Sequence, residues 1–236
     1  MHLFVTVNGQ GQIDEADHGF NNITAAAPVT VQAVNLVPTA PVVAESAAVF
    51  GQPVTVSWTV SNSGTAPSYP AWSARIELLR EDGTTAGSLG TTAIVLEEPL
   101  AAGTDYTRQT TVVLPLDNSL PVGSYRVRVS ADIVDGQPES GEADNAAESP
   151  LFAVTLPPLP NLSVEGLTVV AAISPAPISV GGSLTIQWTT RNTGPVPADG
   201  PWTETVWLSG DLNLGGDLRL ASYSRSDSLA AGGGAA

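Results

Sequence analysis

The chain has 236 residues, 42% hydrophobic and only 13% charged, a composition typical of a folded protein with one or two domains. Its 23 acidic and 8 basic residues give a net charge of −15, and all eight basic residues are arginine. So few cations argue against nucleic acid or an anionic membrane surface as a partner. Because the sequence has no cysteine, disulfides, thiolate metal sites and a cysteine nucleophile are excluded.

The N-terminal residues predict a strand. Residues 1–8 alternate and then turn polar, unlike a secretory signal with its positive and apolar regions. No apolar run approaches the roughly 18–20 residues of a membrane span, and the best one, Leu167–Ile173, stops at Pro175. We therefore expect no membrane insertion by this segment. We also expect the natural N-terminus, with any export signal, to lie upstream of Met1.

The central region shows the period of two that half-buried antiparallel strands require. In the segment 54–60 apolar residues alternate with Thr and Ser, so that one face carries Val54, Val56, Trp58 and Val60. The segment 125–131 alternates in the same way. Turn signals such as Asn62-Ser63-Gly64 and Asp135-Gly136 separate these runs. The pattern predicts an all-β fold built from antiparallel β-sandwiches.

The sequence also repeats internally. Residues 51–64 resemble residues 181–194 at a constant offset of 130, and residues 127–145 resemble residues 3–21 at an offset of 124. We therefore expect the chain to be a fragment of a tandem array. Three parts are predicted: the C-terminal hairpin of a truncated unit (1–31), a complete β-sandwich (32–157) and the N-terminal part of a further, truncated unit (158–236).

The repeated segments resemble a known family. Residues 180–194, followed by Trp202–Ser209 and Asp211–Asp217, are similar to the cell-adhesion-related domain found in bacteria, CARDB. The middle unit is similar over its whole length and departs at residues 78–83, where the third unit has a Leu-Ser-x-Asp run. The features that it keeps are a strand with Trp58 and Asn62, the segment 120–125, and a closing acidic hairpin with Glu139, Glu142 and Asn145.

The resemblance implies an immunoglobulin-like sandwich. The full expectation is therefore an all-β chain of tandem immunoglobulin-like antiparallel β-sandwiches. The resemblance further implies large secreted or surface-anchored prokaryotic proteins, in which such domains often stand in tandem with adhesive or spacer roles. It implies no catalytic residues.

The tryptophans are the most informative aromatic residues. Trp58 and Trp188 lie mid-strand on the apolar face and are predicted to be core residues, with a stacking platform for sugar rings as the alternative. Trp72 and Trp202 follow proline-rich loops and either pack at the edge of the core or project outward. Trp207 lies on the face opposite its two apolar neighbours, which makes it the best candidate for an exposed aromatic.

Catalytic chemistry finds little support. A Ser-His-Asp arrangement would have to use His18, with Asp17 or Glu15 beside it, and the sequence has no Gly-x-Ser-x-Gly elbow. A solvated loop histidine is the simpler interpretation. Adjacent acids such as Glu97-Glu98 are plentiful, but the sequence does not place two of them across a cleft.

A calcium loop is the sharpest metal hypothesis. Asp211, Asn213 and Asp217 have alternating oxygen ligands and nearby glycines, but the loop lacks two of the acids of an EF-hand. The hairpins 8–17 and 132–144 are similarly rich in oxygen ligands. For each loop a plain acidic turn is the alternative. No other cofactor is expected.

The leading functional hypothesis is a non-catalytic module of an exported prokaryotic protein. It would serve as a stalk or adhesion segment at the cell surface or outside the cell. Its expected partners are other domains of the same large surface protein and protein or glycan ligands, without nucleic acid. The alternative is a carbohydrate-binding accessory region of a secreted hydrolase, which an exposed, coplanar row of aromatic rings would favour.

Overall fold

A computed structural model describes residues 1–14, 23–170 and 181–235, and every element in these ranges is a β-strand. The chain divides into two compact units, Met1–Thr155 and Leu156–Ala236. None of the described residues belongs to a helix long and apolar enough to cross a membrane. The predicted all-β fold is confirmed.

The first unit begins with a two-stranded hairpin. Strands β1 (His2–Thr6) and β2 (Ile23–Pro28) pair antiparallel, from His2 opposite Pro28 to Thr6 opposite Ile23. Every residue of both strands is exposed. The hairpin therefore presents large apolar side chains to solvent.

The rest of the first unit is a sandwich of two sheets. Its strands are β3 (Leu36–Pro38), β4 (Val42–Val43), β5 (Ala47–Val49), β6 (Pro53–Asn62), β7 (Ala71–Arg80), β8 (Thr85–Val95), β9 (Asp105–Val113), β10 (Gly123–Ser130), β11 (Ala146–Glu148) and β12 (Phe152–Thr155). One sheet has the order β5-β12-β10-β7-β8, with β11 also paired to β10, and only β5 and β12 run parallel in it. The other sheet is centred on β6, which pairs with β3, β4 and β9.

The core lies between these sheets because the strands alternate in polarity. Along β6 every second residue is buried, and Trp58 at its centre is 2% exposed, as the period of two predicts. Trp72 is also buried, so it packs in the core and does not project outward. The rings of Trp72 and Tyr106 meet edge to face at 6.0 Å. The core thus spans both sheets with close aromatic contacts.

A buried asparagine at the end of β6 ties three segments together. Nδ2 of Asn62 donates hydrogen bonds to the carbonyl oxygens of Ala66 at 2.8 Å and Leu100 at 2.9 Å. Its Oδ1 accepts hydrogen bonds from the backbone N–H groups of Gly64 at 3.1 Å and Asn35 at 3.3 Å. One fully buried side chain therefore satisfies four backbone groups that the turn would leave unpaired.

The second unit has two smaller sheets. One has the order β13-β14-β17 and the other pairs β15 with β16. Trp188 and Trp202 are half-buried here, whereas their counterparts in the first unit are fully covered. Trp207 is 43% exposed, which confirms the predicted exposed aromatic. The strands are β13 (Leu162–Val169), β14 (Ile186–Asn192), β15 (Trp202–Leu208), β16 (Leu218–Arg225) and β17 (Gly234–Ala235).

The same asparagine arrangement recurs in the second unit. Nδ2 of Asn192 donates hydrogen bonds to the carbonyl oxygens of Val196 at 2.7 Å and Leu229 at 3.1 Å. Its Oδ1 accepts the N–H groups of Gly194 and Asn161, each at 3.0 Å. The two units therefore start with the same local structure.

Candidate functional site

Residues 131–145 form an acidic hairpin between β10 and β11. Asp132 and Asp135 have positive φ angles of 42° and 52°, which short polar side chains tolerate better than most. Oδ2 of Asp132 accepts a hydrogen bond from the Gln137 N–H at 2.7 Å, and this bond closes the turn. Gln137 in turn holds the start of β7, since its Nε2 donates to the Ala71 carbonyl oxygen at 2.9 Å.

The second half of the acidic hairpin, residues 139–144, is hydrogen-bonded to the first residue of β3 and to the two residues before it. The Leu36 N–H donates to Oε2 of Glu139 at 2.6 Å, and the Ser140 N–H donates to the Val34 carbonyl oxygen at 2.8 Å. Nδ2 of Asn35 donates to Oδ2 of Asp144 at 3.0 Å. Carboxylates of the hairpin are thus held in place by backbone and amide donors.

Two glutamates of the acidic hairpin have perturbed acidities. Burial, opposed by the Leu36 N–H and reinforced by the negative charges of Glu142 and Asp132, raises the pKa of Glu139 to about 7. Partial desolvation, followed by the carboxylates of Asp135 and Asp132, raises the pKa of Glu142. The neighbouring carboxylates of the acidic hairpin therefore disfavour ionisation of Glu139 and Glu142.

The raised pKa of Glu139 makes stability depend on pH. Because the folded-state value of about 7 exceeds the ordinary value of 4.5, its contribution is fully present below about pH 4.5 and is lost as pH rises through 7. We expect the free energy of unfolding, measured by urea titration in chelating buffer, to fall between about pH 5 and pH 8. Glu139→Gln should flatten this fall, whereas Glu81→Gln in an exposed turn should not. An unchanged slope in Glu139→Gln would contradict the expectation.

The loop predicted to bind calcium is built as a set of tight turns. Oδ1 of Asp211 accepts the Asn213 N–H at 2.7 Å, and Oδ2 of Asp217 accepts the Gly215 N–H at 2.8 Å. The latter bond lowers the pKa of Asp217. Among the described residues, no group of three or more His, Asp or Glu side chains is arranged to hold a metal ion. Calcium binding through Asp211, Asn213 and Asp217 stays a prediction.

Of the two histidines, only His2 lies among the described residues. His2 is exposed on β1. His18, with Asp17 and Glu15, falls outside the described residues.

The two sheets of the second unit enclose an open cleft of about 530 Å³. Trp188 and Trp202 line it, together with the carboxylate of Glu204. Burial works to raise the pKa of Glu204, but hydrogen bonds from Thr190 at 2.6 Å and Arg225 at 3.1 Å outweigh it and lower the pKa. The cleft is thus apolar with one ion-paired wall.

The aromatic residues of the second unit gather at this cleft. Trp207 lines it together with Trp188 and Trp202, and Trp207 is 43% exposed. The rings of Trp188 and Tyr223 meet at 5.7 Å with an interplanar angle of 51°. This pair is therefore tilted and not coplanar.

Exposed apolar surface predicts self-association of the 236-residue chain. Leu3, Phe4 and Val5 on β1 are each more than half exposed, and the cleft of the second unit is open. A chain of residues 32–157 has neither feature and should stay monomeric. Size-exclusion chromatography with light scattering over a range of concentrations measures this difference. A monodisperse full-length monomer would overturn the expectation.

Comparison with known families identifies the middle of the chain. The CARDB family model matches residues 34–149. This segment is a CARDB domain. The match lies inside the predicted complete unit 32–157 and contains both the Asn62 corner and the acidic hairpin.

Solved structures similar to the chain include other CARDB domains. The crystal structure of a CARDB domain from Pyrococcus furiosus, in complex with di-metal ions, is 16% identical, with a TM-score of 0.39, and the match covers 55% of this chain and 100% of that one. A solution structure from the same organism is 14% identical over 53% and 97% of the chains, with a TM-score of 0.36. A β-glucosidase from Erythrobacter marinus is 13% identical over 52% and 16%, with a TM-score of 0.33. The comparison with curated proteins produced no match.

The sequence pointed first to the loop with Asp211, Asn213 and Asp217. The structure instead brings titratable groups together in the acidic hairpin of the CARDB domain. The acidic hairpin appeared in the sequence as an oxygen-rich segment without the spacing of a known motif. Burial of Asp132 and Asn145, at 4% and 9% exposure, distinguishes it in the structure. The sequence offered one signal, since Glu139 and Asn145 match Glu15 and Asn21 at the offset of 124.

Proposed function

We propose that the chain is a non-catalytic segment of tandem CARDB-like sandwiches from an exported prokaryotic surface protein. It acts as a stalk or adhesion segment. Its partners are the neighbouring domains of the same protein and protein or glycan ligands outside the cell. The proposal starts from the CARDB domain at residues 34–149, an adhesion-related β domain.

The repeated asparagine corner is the observation that carries the proposal. Asn62 and Asn192 share four hydrogen bonds, to residues at matching positions of their units. Asn192 donates one more, to the Ala230 carbonyl oxygen at 3.4 Å. Each corner joins the start of its unit to the loop that follows the tryptophan strand. This supports a second CARDB-like unit that begins in residues 158–236.

The N-terminal hairpin supports a third copy. Asn8 has a φ of 50° and its Oδ1 accepts the Ile13 N–H at 3.1 Å. Asp132 has a φ of 42° and its Oδ2 accepts the Gln137 N–H at 2.7 Å. The two pairs are separated by the same offset of 124 that relates the sequences. Repetition of domains in one chain is what a stalk requires.

The test combines shape and binding. Small-angle scattering of the full chain and of residues 32–157 measures whether added units lengthen the particle, as a stalk requires. Beads coated with the full chain, applied to glycan arrays and to surfaces of extracellular proteins, measure adhesion. Hydrolytic turnover of any polymer by the full chain would contradict a non-catalytic role, and so would the lack of both elongation and binding.

A carbohydrate-binding accessory region of a secreted hydrolase is the second candidate. The observation in its favour is the open cleft lined by Trp188 and Trp202. These residues match the core tryptophans Trp58 and Trp72 of the complete unit, which favours protein cover over a sugar. Polysaccharide binding that quenches tryptophan fluorescence and is lost in Trp188→Ala, but kept in Tyr69→Ala at an exposed position of the first unit, would establish the second candidate.

A further inference from the structure

Strands β15 and β1 each have one edge without a strand partner among the described residues. β15 pairs with β16 alone, and β1 pairs with β2 alone. Each free edge offers a row of backbone N–H and C=O groups for pairing. Apolar surface accompanies both edges. The cleft with Trp188 and Trp202 lies along β15. Leu3, Phe4 and Val5 of β1 are each more than half exposed.

The complete unit shows which strand covers such an edge. There β7, the counterpart of β15 at the offset of 130, lies between β8 on one side and β10 on the other. The hairpin β15-β16 reproduces β7-β8 in detail, because the register is irregular after Ile76 in β7 and at the matching position, after Val206, in β15. The free edge of β15 is therefore the place of an equivalent of β10.

Strand β1 has the character of β10. The sequence repeat at the offset of 124 relates the two strands, and β1 pairs antiparallel with β2 as β10 pairs with β11. Val127 and Val129 of β10 are fully buried in the sandwich. Their counterparts Leu3 and Val5 are 59% and 62% exposed. β1 thus carries the apolar side chains of a core strand on a hairpin that has no core of its own.

We propose that the β1-β2 hairpin of one copy of this chain docks on the free edge of β15 in a second copy, in a reciprocal exchange. β1 then runs antiparallel to β15, as β10 runs to β7, and its apolar side chains cover the cleft. This inference rests on the tandem CARDB-like units of the proposed function, but not on a stalk or adhesion role. A chain that stays monomeric would overturn the exchange and leave the tests of that role unaffected.

The area that the exchange covers is sufficient for a stable dimer. Stable interfaces bury about 1,200–2,000 Å² in total, and a two-fold exchange contains the contact twice, so each contact needs about 600–1,000 Å². Phe4 and the three tryptophans that line the cleft supply much of this area, since a fully buried aromatic side chain contributes about 150–250 Å².

The first unit favours a second copy over closure within one chain. Its chain enters at one end of β6, where Leu36 lies opposite Asn62. It leaves at the other end, where the Phe50 N–H donates to the Thr155 carbonyl oxygen at 2.9 Å, just before β6 begins. β6 has ten residues, so these ends are about 30 Å apart. Closure within one chain would require the links on either side to span this distance, whereas exchange between copies would not.

One pair of residues makes the register of the exchange testable. In the complete unit Arg128 of β10 lies opposite Glu77 of β7, and their side chains form an ion pair at 2.9 Å. The two offsets place Phe4 opposite Trp207 at this position. These aromatic side chains are 60% and 43% exposed. Because directly opposite side chains of an antiparallel pair interact, the exchange replaces an ion pair by an aromatic pair.

The first experiment uses the absence of cysteine from this chain. The offsets place Val5 opposite Val206, as Val129 lies opposite Ile76 in the complete unit. A Val5→Cys chain is co-expressed with a Val206→Cys chain, and the purified protein is oxidised at low concentration.

We expect a disulfide-linked heterodimer, identified by its mass on a non-reducing gel and by mass spectrometry. Val42→Cys, at an exposed apolar position of the first unit, replaces Val5→Cys as the control and should give no heterodimer. Light scattering of the unchanged chain should give the mass of a dimer. No more heterodimer with Val5→Cys than with Val42→Cys, or a monomeric unchanged chain, would overturn the proposal.

The second experiment tests the register by light scattering over a range of concentrations. Trp207→Glu should raise the Kd of the dimer about tenfold or more, because it places an unpaired charge opposite Phe4. Adding Phe4→Arg should restore the dimer, since it recreates the ion pair of Arg128 with Glu77. Adding Phe4→Glu should not, because like charges then lie opposite each other. Equal effects of Phe4→Arg and Phe4→Glu would contradict the assignment.

Discussion

Replacing Trp58 by alanine is expected to lower the free energy of unfolding of the CARDB domain by about 3–5 kcal/mol. Trp58 is 2% exposed, with Val56 and Val60 buried on the same face of β6. Truncation loses the transfer free energy of the indole and leaves a cavity that two packed sheets fill poorly. Urea denaturation of the full chain, followed by circular dichroism, measures the loss.

Two further variants make this expectation specific. Trp58→Phe should cost less than Trp58→Ala, because it keeps an aromatic ring and removes an indole N–H that has no hydrogen-bond partner in the described chain. Trp207→Ala should cost about 1 kcal/mol or less, since Trp207 is 43% exposed. Equal denaturation midpoints for Trp58→Ala and Trp207→Ala would show that the burial of Trp58 is wrong.

Replacing Asn62 by alanine is expected to lower the free energy of unfolding by about 2–4 kcal/mol. The change removes one amide that serves two carbonyl oxygens and two N–H groups at the end of the sandwich. Buried backbone groups left without partners carry their full desolvation cost. Hydrogen exchange of the Gly64 and Asn35 amides should accelerate, and urea denaturation gives the free energy.

The second unit provides the parallel experiment. Asn192→Ala should accelerate exchange of the Gly194 and Asn161 amides, because it removes the same bonds there. Asn213→Ala, in an exposed loop, is the control and should change neither set. An Asn62→Ala variant as stable as the natural chain would show that the corner does not hold the sandwich together.

The core strands of this protein could be predicted from the sequence because the alternation of apolar and polar residues is a local pattern. A period of two places side chains on alternate faces whatever the strand pairs with, so Val54, Val56, Trp58 and Val60 were assigned together. The same rule predicted an exposed Trp207, and Trp207 is 43% exposed. The alternation ends there, because the register of β15 is irregular between Val206 and Trp207 and Leu208 is exposed as well. The sequence left open whether Trp72 packs at the edge of the core or projects outward. The fold decides this, because Trp72 is 4% exposed and its ring contacts Tyr106.

The candidate site was less accessible from the sequence. Asp132, Glu139 and Asn145 belong to one short segment, and nothing in their spacing distinguishes them from the solvated acids at Asp211 and Asp217. The difference comes from contacts across the fold. Leu36 and Ala71 are distant in sequence from the hairpin. The Leu36 N–H donates to the Glu139 carboxylate, and the Ala71 carbonyl oxygen accepts a hydrogen bond from the Gln137 amide.

The sequence by itself determined the strand faces, the turns and the repeat, because each depends on neighbouring residues or on similarity between segments. Asn62 shows the limit of sequence-based prediction. Its position beside a turn could be predicted from the sequence, but its hydrogen bonds to Asn35 and Leu100 could not. The tertiary structure alone decided which acids are buried and which oxygens lack partners. Desolvation and like-charge repulsion depend on distances between segments that the order of residues does not specify.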